Sequence, residues 1–146
     1  MHEPLIERLR AREKVGVTDR GNHWSVSVSA AENWRFELTI PRDVLEWFVE
    51  AWTPGAAKKA WSDWSDWFAI KGEPSREKLE LQYASDVEYF IARIRGATAF
   101  RCVTRPSFRI LGIGIMRRHL LQGMSHGEWH DIEPGVLPAA TGGAAA

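Results

Sequence analysis

This 146-residue chain has one cysteine, no net charge, and no catalytic signature. Each of these absences excludes something. A lone Cys102 rules out an internal disulfide, and its place in the apolar run TAFRCVT marks it as a buried, inert thiol in a reducing compartment. Nineteen Lys/Arg against nineteen Asp/Glu give no basic surplus, which argues against nucleic acid as a partner. The N-terminal MHEPLIERLRAREKV lacks a signal-peptide core, and no apolar run approaches the ~20 residues of a membrane span. The expectation is therefore a cytoplasmic protein that contacts neither membrane nor nucleic acid. No HExxH, GxGxxG or GxxxxGK spacing occurs, and no cofactor is expected.

The charge that does exist is unevenly spread. Residues 1–90 hold 12 basic against 16 acidic side chains, whereas residues 91–146 hold 7 against 3. Such a bipolar molecule can attract a charged partner to either end. What the chain has in excess is tryptophan: eight in all, seven of them (Trp24, Trp34, Trp47, Trp52, Trp61, Trp64, Trp67) before residue 68. Each indole carries roughly 150–250 Å² of buriable surface and a donor that needs a partner when buried. A core of this size cannot easily hide them all, so some are expected at the surface.

The patterning reads as an α+β fold: an antiparallel sheet begun by an N-terminal hairpin over about 22–40, packed against two or three helices. One globular domain is expected over 1–134, with a flexible small-residue tail over 135–146. Residues 3–14 have the spacing of a short amphipathic helix. HWSVSVSA and WRFELTI alternate with period two, placing Trp24, Val26, Val28, Trp34, Phe36, Leu38 and Ile40 on one face of the hairpin.

PRDVLEWFVEAW has Pro41 at a first-turn position and Val44, Leu45, Phe48, Val49 and Trp52 on one helical side, which favours a helix. A strand remains open, because Leu45, Trp47, Val49 and Ala51 also alternate. In AWSDWSDWFAI a 100° period gathers Trp61, Trp64, Trp67 and Phe68 within an arc of about 120° and leaves Asp63 and Asp66 outside it, so one or two helical turns are expected. Ser85-Asp-Val-Glu88 has capping-box spacing and would start a helix ending at Gly96; residues 76–84 stay undecided between helix and strand. TAFRCVT and FRILGIGIM read as two strands separated by Pro106, and GMSHGEWHDIEPG as a loop around a short strand.

Three clusters have the residue types of chemistry. Asp63 and Asp66, with Glu46 and Glu50 nearby in sequence, are paired carboxylates of the general acid/base type, but a solvated helix face is expected there. His126, Glu128, His130 and Asp131 are metal-ligand types and would serve a small metal-dependent hydrolase, the alternative enzymatic reading. Gly123 and Gly127 argue against a helix that would aim two of the histidines at one ion, so structural or solvated histidines are expected and no metal. Arg109, Arg117, Arg118 and His119 form a basic rim expected to be ordinary charged surface.

The stretch from Glu46, EWFVEAW followed after a turn by WSDWSDWF, with DVEYFI downstream, resembles the small Trp-rich immunity proteins encoded beside bacterial polymorphic or contact-dependent toxins. The resemblance implies a non-enzymatic cytoplasmic inhibitor that occludes the active site of a cognate toxin. Glu46, Glu50, Asp63, Trp64, Asp66 and Trp67 are then the expected partner-binding residues, since exposed tryptophan among acids has the composition of a binding hot spot. An oligomeric adaptor whose aromatic patch makes a homodimer is a further alternative.

Overall fold

The computed structural model describes residues 1–55, 58–63, 75–110 and 114–132, with side chains over 1–55, 60, 75–104 and 120–132. The expected tail lies outside these residues. The fold is α+β. Helix α1 (Glu3–Arg10) precedes strands β1 (Val15–Asp19), β2 (His23–Ser29), β3 (Arg35–Pro41), β4 (Trp47–Trp52) and β5 (Lys58–Asp63). Helix α2 (Arg76–Gly96) follows, then β6 (Phe100–Ile110), β7 (Gly114–Ser125) and β8 (Glu128–Asp131). The strands form two antiparallel meanders in chain order, β1 to β5 and β6 to β8.

The hairpin lies where alternation placed it: β2 pairs with β3 from His23↔Pro41 to Ser29↔Arg35. Its connection passes Glu32 and Asn33 at positive φ, 59° and 64°. Asparagine tolerates that region, but glutamate does so at a cost. The Glu32 carboxylate accepts from the Phe100 amide at 3.3 Å and so ties the turn to the second sheet. The sheet begins one strand earlier than expected, because β1 pairs with β2 from Val15↔Val28 to Asp19↔Trp24. At that end Arg42 joins the strands, stacking 4.0 Å from the Trp24 ring centroid and pairing with Asp19, whose carboxyl it holds below the ordinary carboxylate range.

Four expectations are corrected. The segment read as a helix over 44–52 contains β4, which pairs with β3 on one side and β5 on the other. Leu45, Trp47, Val49 and Ala51 are buried and Phe48 is exposed, the period of two rather than 3.6. Trp61–Asp63, read as helical, ends β5; the rest of that expected helix lies outside the described residues. Ser75 caps helix α2, its hydroxyl accepting from the Lys78 amide at 3.3 Å, so Ser85 sits in mid-helix instead of capping it. Pro106 does not end β6, because a register shift between Pro106 and Phe108 lets the ladder continue past the missing donor.

One core joins these elements. Leu79, Tyr83, Val87, Phe90, Ile91 and Ile94 make the buried stripe of α2, and Leu5, Ile6 and Leu9 that of α1. The α2 stripe packs on the inner face of the large sheet. Phe90 meets Phe36 edge-on at 6.1 Å and Trp47 at 5.4 Å between ring centroids. The second sheet enters through Phe100, 5.2 Å from Trp34 and 5.3 Å from Phe36. It approaches closely at Gly123, where an added Cβ would lie 2.9 Å from Ile132 Cδ1 and 3.0 Å from Ala97 Cβ. Only glycine lets β7 approach the end of α2 this closely.

His2 closes the other end. It is 6% exposed, stacks on Tyr83 at 4.7 Å, and places Nε2 3.1 Å from the Val44 carbonyl. Tyr83 in turn donates to the Glu46 carbonyl at 2.8 Å. Burial pushes the imidazole pKa below its ordinary 6.5. The unfolded chain therefore takes up a proton near 6.5 that the folded chain resists. The stabilisation is complete above that value and is lost as pH falls through the lower folded one. Urea titrations should show stability declining below 6.5, and His2→Gln should flatten that part of the profile; an unchanged slope would mean that another group controls it.

Candidate protein-binding face

Strand alternation sends one set of side chains into the core and the other to the outer face of the large sheet. On β2 and β3 the outer set is Ser25, Ser27, Ser29, Arg35, Glu37 and Thr39, the solvated pattern of a one-faced sheet. On β4 it is Phe48, Glu50 and Trp52, a different character. The ladder sets Thr39 against Phe48, Glu37 against Glu50, and Arg35 against Trp52. Two large aromatic side chains thus flank a pair of directly opposed carboxylates on a face of Ser and Thr side chains, with Arg35 and Lys58 at the register of Trp52.

Phe48 is 39% exposed, one of three large hydrophobic side chains that open to solvent among the described residues. Trp52 is half-buried, with the Arg35 guanidinium 5.5 Å from its ring centroid. That contact shows that the indole can take a guanidinium on its face. Like charges directly across a ladder destabilise it, so Glu37 and Glu50 need relief. The Ser25 hydroxyl reaches Glu37 at 3.4 Å, and Glu50 is engaged as well.

Of the expected partner-binding residues, Glu50 lies in the middle of this face. Glu46 lies before β4, partly buried, with its carbonyl bound by Tyr83. Asp63 ends β5 at the register of Trp47, and its side chain is outside the description. Trp64, Asp66 and Trp67 fall outside the described residues. Glu37, Phe48 and Trp52 were missed as site residues. A helical period turns Phe48 and Trp52 toward the core, and only the strand period turns them outward.

The 126–131 cluster takes a different form from a ligand set. His126 (φ 53°) and Gly127 (φ 80°) make the two-residue turn between β7 and β8, where both central residues have positive φ. Alternation along β8 sets Glu128 and His130 on one side and Asp131 on the other. Asp131 accepts from Gln122 at 2.8 Å, Gln122 accepts from Arg101 at 2.8 Å, and Arg101 stacks 4.3 Å from the Trp129 ring centroid. This chain of polar contacts braces the second sheet. Among the described residues no three His, Cys, Asp or Glu side chains converge as metal ligands would. Cys102, expected buried, is half-buried and packs against the core. Arg109, Arg117, Arg118 and His119 lie along the β6–β7 ladder, paired with Ile115, Pro106, Arg105 and Thr104.

No protein-family model, curated protein or solved structure matches this chain. Among the described residues no helix is long and apolar enough to cross a membrane.

Proposed function

We propose that this chain is a non-enzymatic, cytoplasmic protein-binding inhibitor, an immunity protein that occludes the active site of a cognate bacterial toxin. The observation that carries the reading is the outer sheet face, where Phe48 and Trp52 flank Glu37 and Glu50. Exposed aromatic side chains are enriched where partners dock, and carboxylates around them favour a cationic partner. A sheet face held by two ladders is also rigid, so little ordering entropy is lost on docking. The resemblance of EWFVEAW and WSDWSDWF to Trp-rich immunity proteins supports the same reading. Expression of the protein encoded immediately upstream tests it. That protein should arrest growth when produced alone and become harmless when this chain is co-produced. A harmless neighbour, or arrest that this chain does not relieve, would remove the reading.

A further inference from the structure

The outer side of α2 carries two of the three large hydrophobic side chains that open to solvent among the described residues: Leu81 is 68% and Tyr89 64% exposed. At 100° per residue they lie about 40° to either side of Ser85, and about 12 Å apart along the helix axis. Ala92 and Gly96 continue the same stripe, which runs opposite the buried one of Leu79, Tyr83, Val87 and Ile94. Between and beyond its two large side chains the stripe is therefore small, and a second helix can seat its own large side chains there. A Cβ built on Gly96 meets nothing within 4 Å.

The charges beside this stripe differ in sign between its ends. Glu77 is exposed in the first turn, and Arg95 lies in the last. About five helical turns separate them, so both flank the stripe on the same side. We infer that this stripe binds the same stripe of a second copy of the chain, with the two helices antiparallel. About a two-fold near residues 85 and 86, Leu81 of one copy lies over Tyr89 and Ala92 of the other, and the reverse contact repeats it. Glu77 of each copy then comes level with Arg95 of the other. Arg95 donates through one guanidinium nitrogen to the Ser29 carbonyl at 3.1 Å, and the group has five N–H donors in all. A parallel pair would instead set Glu77 against Glu77 and Arg95 against Arg95, which like charge opposes. Because α2 covers the inner face of the large sheet, its outer side and Phe48 lie on opposite sides of the molecule. The self-contact therefore does not rest on the function proposed above.

Sedimentation equilibrium of the full chain is the test. A reversible dimer is expected with Kd of about 1–100 μM, the affinity of a small interface. Leu81→Lys combined with Tyr89→Lys should raise that Kd at least ~30-fold, the loss of two anchors, while circular dichroism stays unchanged because both positions are exposed. Phe48→Ser should leave the Kd as it is. In a Cys102→Ser background, Ser85→Cys should cross-link to a dimer under mild oxidation, because the two-fold brings its copies within the ~7 Å between Cα atoms that a disulfide spans. Thr18→Cys, exposed on β1, should not. Oxidising an equimolar mixture of Leu81→Cys and Tyr89→Cys chains should give mostly the mixed dimer. A monomer at roughly 1 mM, weaker than any useful self-association, would overturn the inference. So would a dimer that survives the double lysine variant, one that Phe48→Ser abolishes, or a preponderance of Leu81→Cys homodimers, which would mark a parallel pair.

Discussion

Replacing Trp47 with alanine should cost about 3–5 kcal/mol of stability, the range for truncating a large aromatic side chain in a close-packed core. The side chain is 0% exposed, packs edge-on against Phe90 at 5.4 Å, and sits on the strand that β3 and β5 enclose. Its neighbours are held by ladders on both sides and cannot collapse into the space. Against a typical total of about 5–15 kcal/mol, the variant should be largely unfolded in moderate urea. Trp47→Phe should cost much less. The Trp47 indole N–H has no hydrogen-bond partner among the described residues, and the smaller ring removes a buried donor while keeping most of the contact area. Urea midpoints at unchanged m-value measure both. A Trp47→Ala loss below ~1 kcal/mol, the size expected of a surface change, would mean that the indole is not the core element described.

The second large effect concerns binding. Phe48→Ser combined with Glu37→Lys should weaken the proposed complex with a cognate protein by about 100- to 1,000-fold, the loss expected when a central anchor and its charge complement are removed together. The same variant should shift folding stability by under ~1 kcal/mol, because both positions lie on the outer face and Phe48 is already 39% exposed. Tyr89→Ser is the control: its side chain is 64% exposed on α2, away from this face, and its loss should leave the affinity unchanged. The contrast separates a specific face from general stickiness, since removing either side chain deletes exposed aromatic surface. Calorimetric titration of the three chains against one partner preparation gives the comparison directly.

How much of the fold is legible in the sequence depends on whether a segment satisfies one period or two. HWSVSVS and WRFELTI obey only the period of two, and both strands lie where that places them. In DVEYFIARIRG the spacing of Val87, Phe90, Ile91 and Ile94 obeys only the helical period, and these residues are buried on α2. VLEWFVEAW satisfies both, because nearly every position except Glu46 and Glu50 is apolar. Its choice is made non-locally: the free edge of β3 needs a partner, and the helix that covers the sheet is supplied later in the chain by α2. A strong helical pattern yields when a sheet edge can take up every backbone group.

The same ambiguity hid the candidate site. Of the seven clustered tryptophans, Trp34 and Trp52 stay only partly buried while Trp24 and Trp47 are buried, and the side chains of Trp61, Trp64 and Trp67 lie outside the description. Among the described residues the most open ring on the large sheet is a phenylalanine, however, and a helical period turns Phe48 to the interior. Similarly, Ser75 and Ser85 both offer a capping oxygen, and the choice between them rested on whether LELQY continued as helix. Leu79 and Tyr83 settle it, since both bury on the same stripe as Val87 and Ile91.

Hydroxyl-radical footprinting of the chain, free and saturated with the proposed cognate protein, reads the proposed docking face by side chain. Oxidation of Phe48 and Trp52 should fall several-fold in the complex while Tyr89 reacts as before. If Phe48 is modified equally in both states, the sheet face is not where the partner sits.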